Sequence, residues 1–231
     1  MSSIKITDLC KEYIVENKKI KVLDNLNIEF KENKITVILG KSGCGKTTLL
    51  RLIQGLETPT TGKIKLNFAK TSYVFQEPRL FPWLTVFQNI QIVNQKQSSK
   101  KINELINLMG LNKFSNAYPN QLSGGMKSRV SIARAFNYNA NFLLMDEPFA
   151  SLDDFTRVQM QKELLKIYNK NLCCIIFVTH NIDEALLLAN EIIILKEGKI
   201  YSSYEINDEN RDLLNDKFID LKRKIRNDLW R

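Results

Sequence analysis

The sequence predicts an α/β fold with a mainly parallel sheet core, a small N-terminal antiparallel sheet and an inserted helical lobe. Three observations predict it. Four short apolar runs are continuous rather than alternating, helical patterns separate them, and a Gly-rich loop joins the first of those runs to the helical pattern that follows.

The opening segment reads as short strands at residues 4–6, 21–23 and 26–30, with turns at Glu16-Asn17 and Asp24-Asn25, and these pair as the antiparallel sheet. Residues 35–39, 142–145, 174–178 and 192–195 are the continuous apolar runs. Continuity rather than alternation marks strands covered by helices on both faces. Helical spacing occupies 48–55, 124–137, 155–169 and 182–189, and strands alternating with helices give a parallel sheet. Residues from about 84 to 137 are mostly helical and form the expected lobe, inserted into a core made of 1–83 and 138–205. Leu213, Leu214, Phe218, Leu221 and Ile225 recur at roughly helical intervals, so an amphipathic helix over about 207–230 is expected to pack on the core. No linker rich in Pro, Gly or Ser and no internal repeat divides the 231 residues, which are expected to fold as a single domain.

Composition narrows the function class. With 44% hydrophobic and 26% charged residues the chain is an ordinary globular protein. No stretch approaches the roughly 18 to 20 apolar residues of a membrane-spanning helix. The N-terminus has no apolar core or cleavage pattern of a secretory signal, so residence in the cytosol is expected. Cys173 and Cys174 read as small buried hydrophobes, and no cysteine pair has metal-ligand spacing. The net charge of +9 is spread along the chain, apart from Lys222, Arg223, Lys224 and Arg226. No aromatic-interleaved basic motif accompanies it, so no nucleic-acid partner is expected.

The strongest motif is Gly40-Lys41-Ser42-Gly43-Cys44-Gly45-Lys46-Thr47, followed by Thr48. It fits the phosphate-loop template of Gly, four residues, Gly, Lys and Ser/Thr, with a strand before it and a helix after it. Glycines let backbone amides crowd around an anion, and the helix N-terminus adds partial positive charge. Lys46 is expected on the β- and γ-phosphates of a nucleotide, and the Thr47 hydroxyl on Mg²⁺. Asp146 and Glu147 leave the strand at 142–145, at the sheet edge where ligands bind in open α/β folds. The first suits the Mg²⁺ shell and the second suits polarising water toward the γ-phosphate. His180, the only histidine, ends another such strand and suits a γ-phosphate contact.

With Leu122-Ser123-Gly124-Gly125 between them, these motifs resemble the ATP-binding cassette family, in the family's order from Tyr13 to about Gly198. The resemblance implies an ATPase that uses ATP and Mg²⁺. It also implies two copies paired head to tail, each site closed by Ser123, Gly124 and Gly125 of the other copy. Tyr13 matches the aromatic that stacks on adenine, and Gln76 the glutamine that reaches Mg²⁺ and the attacking water. Ser151, Leu152 and Asp153 match the loop that communicates across the dimer, Glu147 the catalytic carboxylate, and His180 the switch histidine. Met126 departs from the glutamine common after Leu-Ser-Gly-Gly, a form similar to several importer ATPases. The extra regulatory domain of sugar-importer relatives is not expected.

The segment from Gln76 to Leu122 has room for a helical lobe, not for the coiled-coil or zinc-bearing insertions of cassettes that act on DNA. A subunit docking on separate membrane permeases, peripheral at the cytoplasmic face, is therefore expected, with an extracytoplasmic solute-binding protein as an indirect partner. Leu80-Phe81-Pro82-Trp83-Leu84-Thr85-Val86 is similar to the ATPases of nitrate, taurine and alkanesulfonate importers. Its apolar side chains suit either a groove for a permease helix or packing inside the lobe. Two alternatives remain: a soluble cassette acting on a macromolecular complex, and a module that senses ATP without hydrolysing it. The single cassette weighs against the first, and Glu147 with His180 weighs against the second.

Overall fold

The computed structural model describes residues 3–67, 70–171, 173–208 and 211–230. In chain order the first elements are β1 (Ser3–Val15), β2 (Lys18–Lys31), β3 (Ile35–Leu39), α1 (Lys46–Gln54), β4 (Thr61–Leu66), β5 (Thr71–Val74), α2 (Val86–Gln91) and α3 (Ser99–Leu108). The rest are α4 (Gly124–Asn137), β6 (Phe142–Asp146), α5 (Asp154–Asn171), β7 (Cys174–Thr179), α6 (Ile182–Leu188), β8 (Glu191–Lys196), β9 (Lys199–Glu205) and α7 (Asp216–Trp230). They fall into two compact units, Met1–Lys70 with Cys173–Arg231, and Thr71–Leu172.

The first unit holds a three-stranded antiparallel sheet in the order β2-β1-β4. Beside it, β7, β3 and β8 run parallel, and β9 pairs antiparallel with β8. Every residue of β3 and β7 is buried, including Thr36 and Thr179, which is why both read as mainly apolar rather than alternating. Leu39 pairs with Thr179 and also with Ile194, so the segments after β3 and β7 leave the sheet at the same edge.

Two sequence expectations need correcting here. Asp24-Asn25 is not a turn but lies within β2, which runs unbroken to Lys31. The β1–β2 ladder shifts register between Ile6 and Glu12, with Asp8 and Asn25 at φ 48° and 52°. Side chains bond across this irregularity: Asn27 Oδ1 accepts from the Asp8 amide at 3.0 Å, and Asn27 Nδ2 donates to Asp8 Oδ1 at 3.1 Å. A bulge uses the same Asp and Asn residues as a turn, so the sequence does not separate them. The second is Leu214, which is 84% exposed and precedes α7. Asp212 and Asn215 accept hydrogen bonds from the amides of Leu214 and Lys217, at 2.9 and 3.1 Å, and hold turns there. The stripe that α7 does bury is Phe218, Ile225 and Leu229.

The second unit carries the parallel pair β5–β6, with Val74 opposite Met145, and the helices α2 to α5. Its helices start where side chains cap them. Thr85 and Gln88 form a reciprocal capping box on α2, Ser98 caps α3 and Ser123 caps α4. Among the described residues no helix is long and apolar enough to cross a membrane.

Candidate functional site

In the first unit, residues 40–45 run from β3 into α1. Gly45 is the N-cap of α1 at φ 106° and, having no side chain, supplies no side-chain cap, while the positive end of the helix macrodipole faces the loop. A Cβ at Gly45 lies 2.6 Å from Leu23 Cδ2 and 2.9 Å from the Val22 carbonyl oxygen, so space and backbone both demand glycine. Lys46 is buried, and its Nζ donates to the carbonyls of Gly40 at 2.8 Å and Lys41 at 3.0 Å. The ammonium thus spans the concave side of the loop. Thr47 and Thr48 are half-buried in the first turn, whereas Lys41, Ser42 and Gly43 are exposed and Cys44 is half-buried. Gly55 closes α1 in the left-handed conformation, its amide bonded to Arg51 and Leu52 carbonyls.

Tyr13 sits on β1 and is half-buried. Its hydroxyl bonds to the Glu57 carboxylate, and Lys11 Nζ lies 4.8 Å from the ring centroid. Burial, then the bond to Glu57, raises the phenol above its ordinary value, so the ring stays neutral at physiological pH. His180 is exposed immediately after β7, at the same sheet edge as the Gly40 loop. Its neighbours are fixed. Thr179 Oγ1 donates to Glu184 at 2.5 Å and accepts from the Asn181 amide at 3.0 Å, while Asn181 Oδ1 caps α6.

In the second unit, Gln76 follows β5, Asp146 ends β6 and Glu147 comes immediately after it, so all three emerge at one end of a parallel pair. Asp146 is buried, and its Oδ2 accepts from the Tyr73 hydroxyl at 3.1 Å. Glu147 is half-buried at φ 44°, a left-handed conformation uncommon for glutamate and narrowed further by Pro148 behind it. Such strain persists where the surroundings impose it, and it concentrates at functional positions.

Ser123, Gly124 and Gly125 open α4, and Ser123 Oγ accepts from the Met126 amide at 3.2 Å. Gly124 faces open space, whereas a Cβ on Gly125 lies 2.8 Å from Leu152 Cδ2. Ser128 Oγ, one turn on, is 2.8 Å from Ser151 Oγ. The start of α4 and the loop 151–153 are therefore one packed body, a coupling that separate motifs do not reveal. Asp153 Oδ1 accepts from the Thr156 amide at 2.9 Å, and that bond holds the carboxyl below its ordinary value. Asn89 is a further residue that motif reading missed. It is 0% exposed, and its amide bonds to Phe81, Leu84 and Thr85 backbone groups at 2.9 to 3.1 Å. It shapes the loop that leaves Trp83 69% exposed, with the Phe81 and Trp83 rings 5.5 Å apart.

A model of the ABC transporter family matches residues 23–150. The chain belongs to the ABC transporter family. Its fold and motifs are those of the ABC ATPase cassette. It is 40% identical to an uncharacterised ABC transporter ATP-binding protein of Methanocaldococcus jannaschii, over 97% of this chain and 90% of that one. It is 38% identical to the aliphatic sulfonates import ATP-binding protein SsuB of Bacillus cereus, over 96% of this chain and 94% of that protein. A solved dimeric ATP-binding cassette, in a post-hydrolysis state bound to ADP and Pi, superposes with a TM-score of 0.80 at 30% identity. That match covers 89% of this chain and 99% of the solved one.

Proposed function

We propose that this ABC ATPase is the energising subunit of a membrane importer for a sulfonate or a related small oxyanion. The observation that carries the reading is the near-complete alignment with sulfonate-import ATP-binding proteins, at 38 to 41% identity across bacilli. The exposed Phe81–Trp83 surface supports a permease-docking role for that loop.

In this reading ATP lies on the Gly40–Thr48 loop, with its adenine on Tyr13. Lys46 exchanges its loop carbonyls for phosphate oxygens, and the positive N-terminal end of α1 takes the rest of the charge. Thr47, Gln76 and Asp146 would each offer an oxygen donor, the kind Mg²⁺ takes when substrate phosphates complete its shell. Bound to these oxygens, Mg²⁺ would supply charge neutralisation at the phosphates. Glu147 accepts a proton from water as the water oxygen bonds to the γ-phosphorus, and the bond to the ADP oxygen breaks to release phosphate. His180 contacts the γ-phosphate and reports its loss. Ser123, Gly124 and Gly125 of a second copy close each site, and the loop 151–153, packed on Gly125 and Ser128, carries that closure to the rest of its unit. The subunit then sits peripherally at the cytoplasmic face of the membrane, served indirectly by a solute-binding protein.

The test is ATP turnover and assembly of the purified chain. Glu147→Gln is expected to lower kcat by about 10² to 10⁴, the usual worth of a general base, and to accumulate an ATP-bound dimer on sizing. Unchanged turnover together with a monomer in ATP sinks the roles given to Glu147 and to the head-to-tail pair.

A further inference from the structure

The C-terminal helix α7 lies beyond the residues 23–150 matched by the family model, yet it reaches the phosphate loop. Three buried side chains, Phe218, Ile225 and Leu229, seat it. Asp228 Oδ2 fixes its last turn by accepting from Ser202 Oγ at 2.7 Å and Tyr204 hydroxyl at 2.6 Å. This places the Trp230 ring 4.3 Å, centroid to Nζ, from Lys41, the second residue of the loop. Trp230 is 70% exposed, so the contact adds little to the burial of the helix. The adjoining face of the loop is not packed solid. An open cavity of about 260 Å³ is lined by Lys41, Gly43 and Cys44 together with Lys196, Glu197 and Leu229.

We propose that Trp230 is a positioning residue for nucleotide binding: it holds Lys41 by a cation–π contact and so ties the C-terminal helix to the phosphate loop. The inference rests on the reading of residues 40–48 as the ATP loop. Lysine has a strongly hydrated ammonium on a flexible stem, and an aromatic face close to it restricts both the side chain and the backbone it leaves. The Lys41 carbonyl is held within the loop by Lys46 Nζ, and the cation–π contact adds the restraint on the exposed side chain. Nucleotide binding that moves Lys41 must alter the surroundings of the indole, and displacement of α7 must alter nucleotide affinity in return.

The experiment is calorimetric titration of the full chain with MgADP, repeated for Trp230→Ala, Trp230→Phe, Lys41→Gln and the Lys41→Gln/Trp230→Ala pair. The contact predicts about 2- to 5-fold weaker binding for Trp230→Ala, as an exposed cation–π pair allows, with most of the loss recovered in Trp230→Phe. In the Lys41→Gln background Trp230→Ala has no further effect, because the two residues act as one pair. In Trp83→Phe protein, where Trp230 is the remaining tryptophan, MgADP shifts or quenches the emission. Equal affinity in parent and Trp230→Ala, or additive losses in the double variant, overturns the proposal. A parent that binds no nucleotide overturns the ATP-loop reading instead, so the two failures are distinguishable.

Discussion

Asn89 offers the sharpest quantitative test of the architecture of the second unit. Substituting alanine removes one acceptor and the three contacts made by Nδ2, all made by a fully buried side chain to a partly buried stretch of backbone. Thr85 carbonyl still receives the residue 89 backbone amide at 2.8 Å, and Phe81 carbonyl still receives the Leu84 amide at 3.2 Å. The groups that lose this partner without such a replacement are the Phe81 amide and the Leu84 carbonyl. At about 1 to 2 kcal/mol for each stranded group, within the usual range for a buried unmet polar atom, the loss is about 2 to 4 kcal/mol. For a chain of this size each kcal/mol moves Tm by roughly 2 to 4 °C, so Asn89→Ala is expected to melt about 4 to 16 °C lower. The assay is scanning calorimetry beside a urea titration, with acrylamide quenching of Trp83 in Trp230→Phe protein to show the loop loosening. A Tm within 2 °C of the parent, with Trp83 no more accessible, refutes the reasoning.

Other outcomes follow from the same geometry. Gly45→Ala places a Cβ against Leu23 and the Val22 carbonyl at φ 106°, and is expected to cost about 1 to 3 kcal/mol of stability and weaken nucleotide binding. Unfolding curves and titration check this, and a variant that binds and melts like the parent contradicts it. Burial pushes the Cys173 thiol up to about 11 and the Cys174 thiol higher still. Both are expected to resist alkylation at pH 8 until denaturant is added, and peptide mapping that finds them labelled in the native protein counts against the structure. Asp153 is depressed by its bond to the Thr156 amide, so its contribution is present above the unfolded pKa and is lost as pH falls through the lower folded value. The melting gap between parent and Asp153→Asn is therefore expected to be constant from neutrality to about pH 5 and to shrink below about pH 4. A gap that widens in acid contradicts the assignment.

Much of this was legible because chemistry and periodicity agreed. The run at 35–39 and the helix at 124–137 have the bounds seen in the structure, since a doubly covered strand and a Ser-capped helix leave strong local signals. Leu80 to Trp83 was legible only as apolar. Whether it faced inward depended on Asn89, a residue of no apparent motif whose amide sets the loop from eight positions away. The bulge at Asp8 and Asn25 was hidden for the opposite reason, because turn-forming residues also serve a register shift. The α4 link to loop 151–153 and the Lys41–Trp230 contact join distant positions, and no local pattern encodes such a meeting.

The importer role itself is tested most directly by co-purification. Glu147→Gln protein, tagged and held with ATP, is used to capture partners from detergent-solubilised membranes of the native cell. The account predicts recovery of a multi-spanning permease, with recovery lost when Phe81 and Trp83 are both replaced by serine in a chain that still binds ATP. Recovery of ribosomes or another soluble assembly, with no membrane protein, contradicts the importer role and leaves the ATPase cassette standing alone.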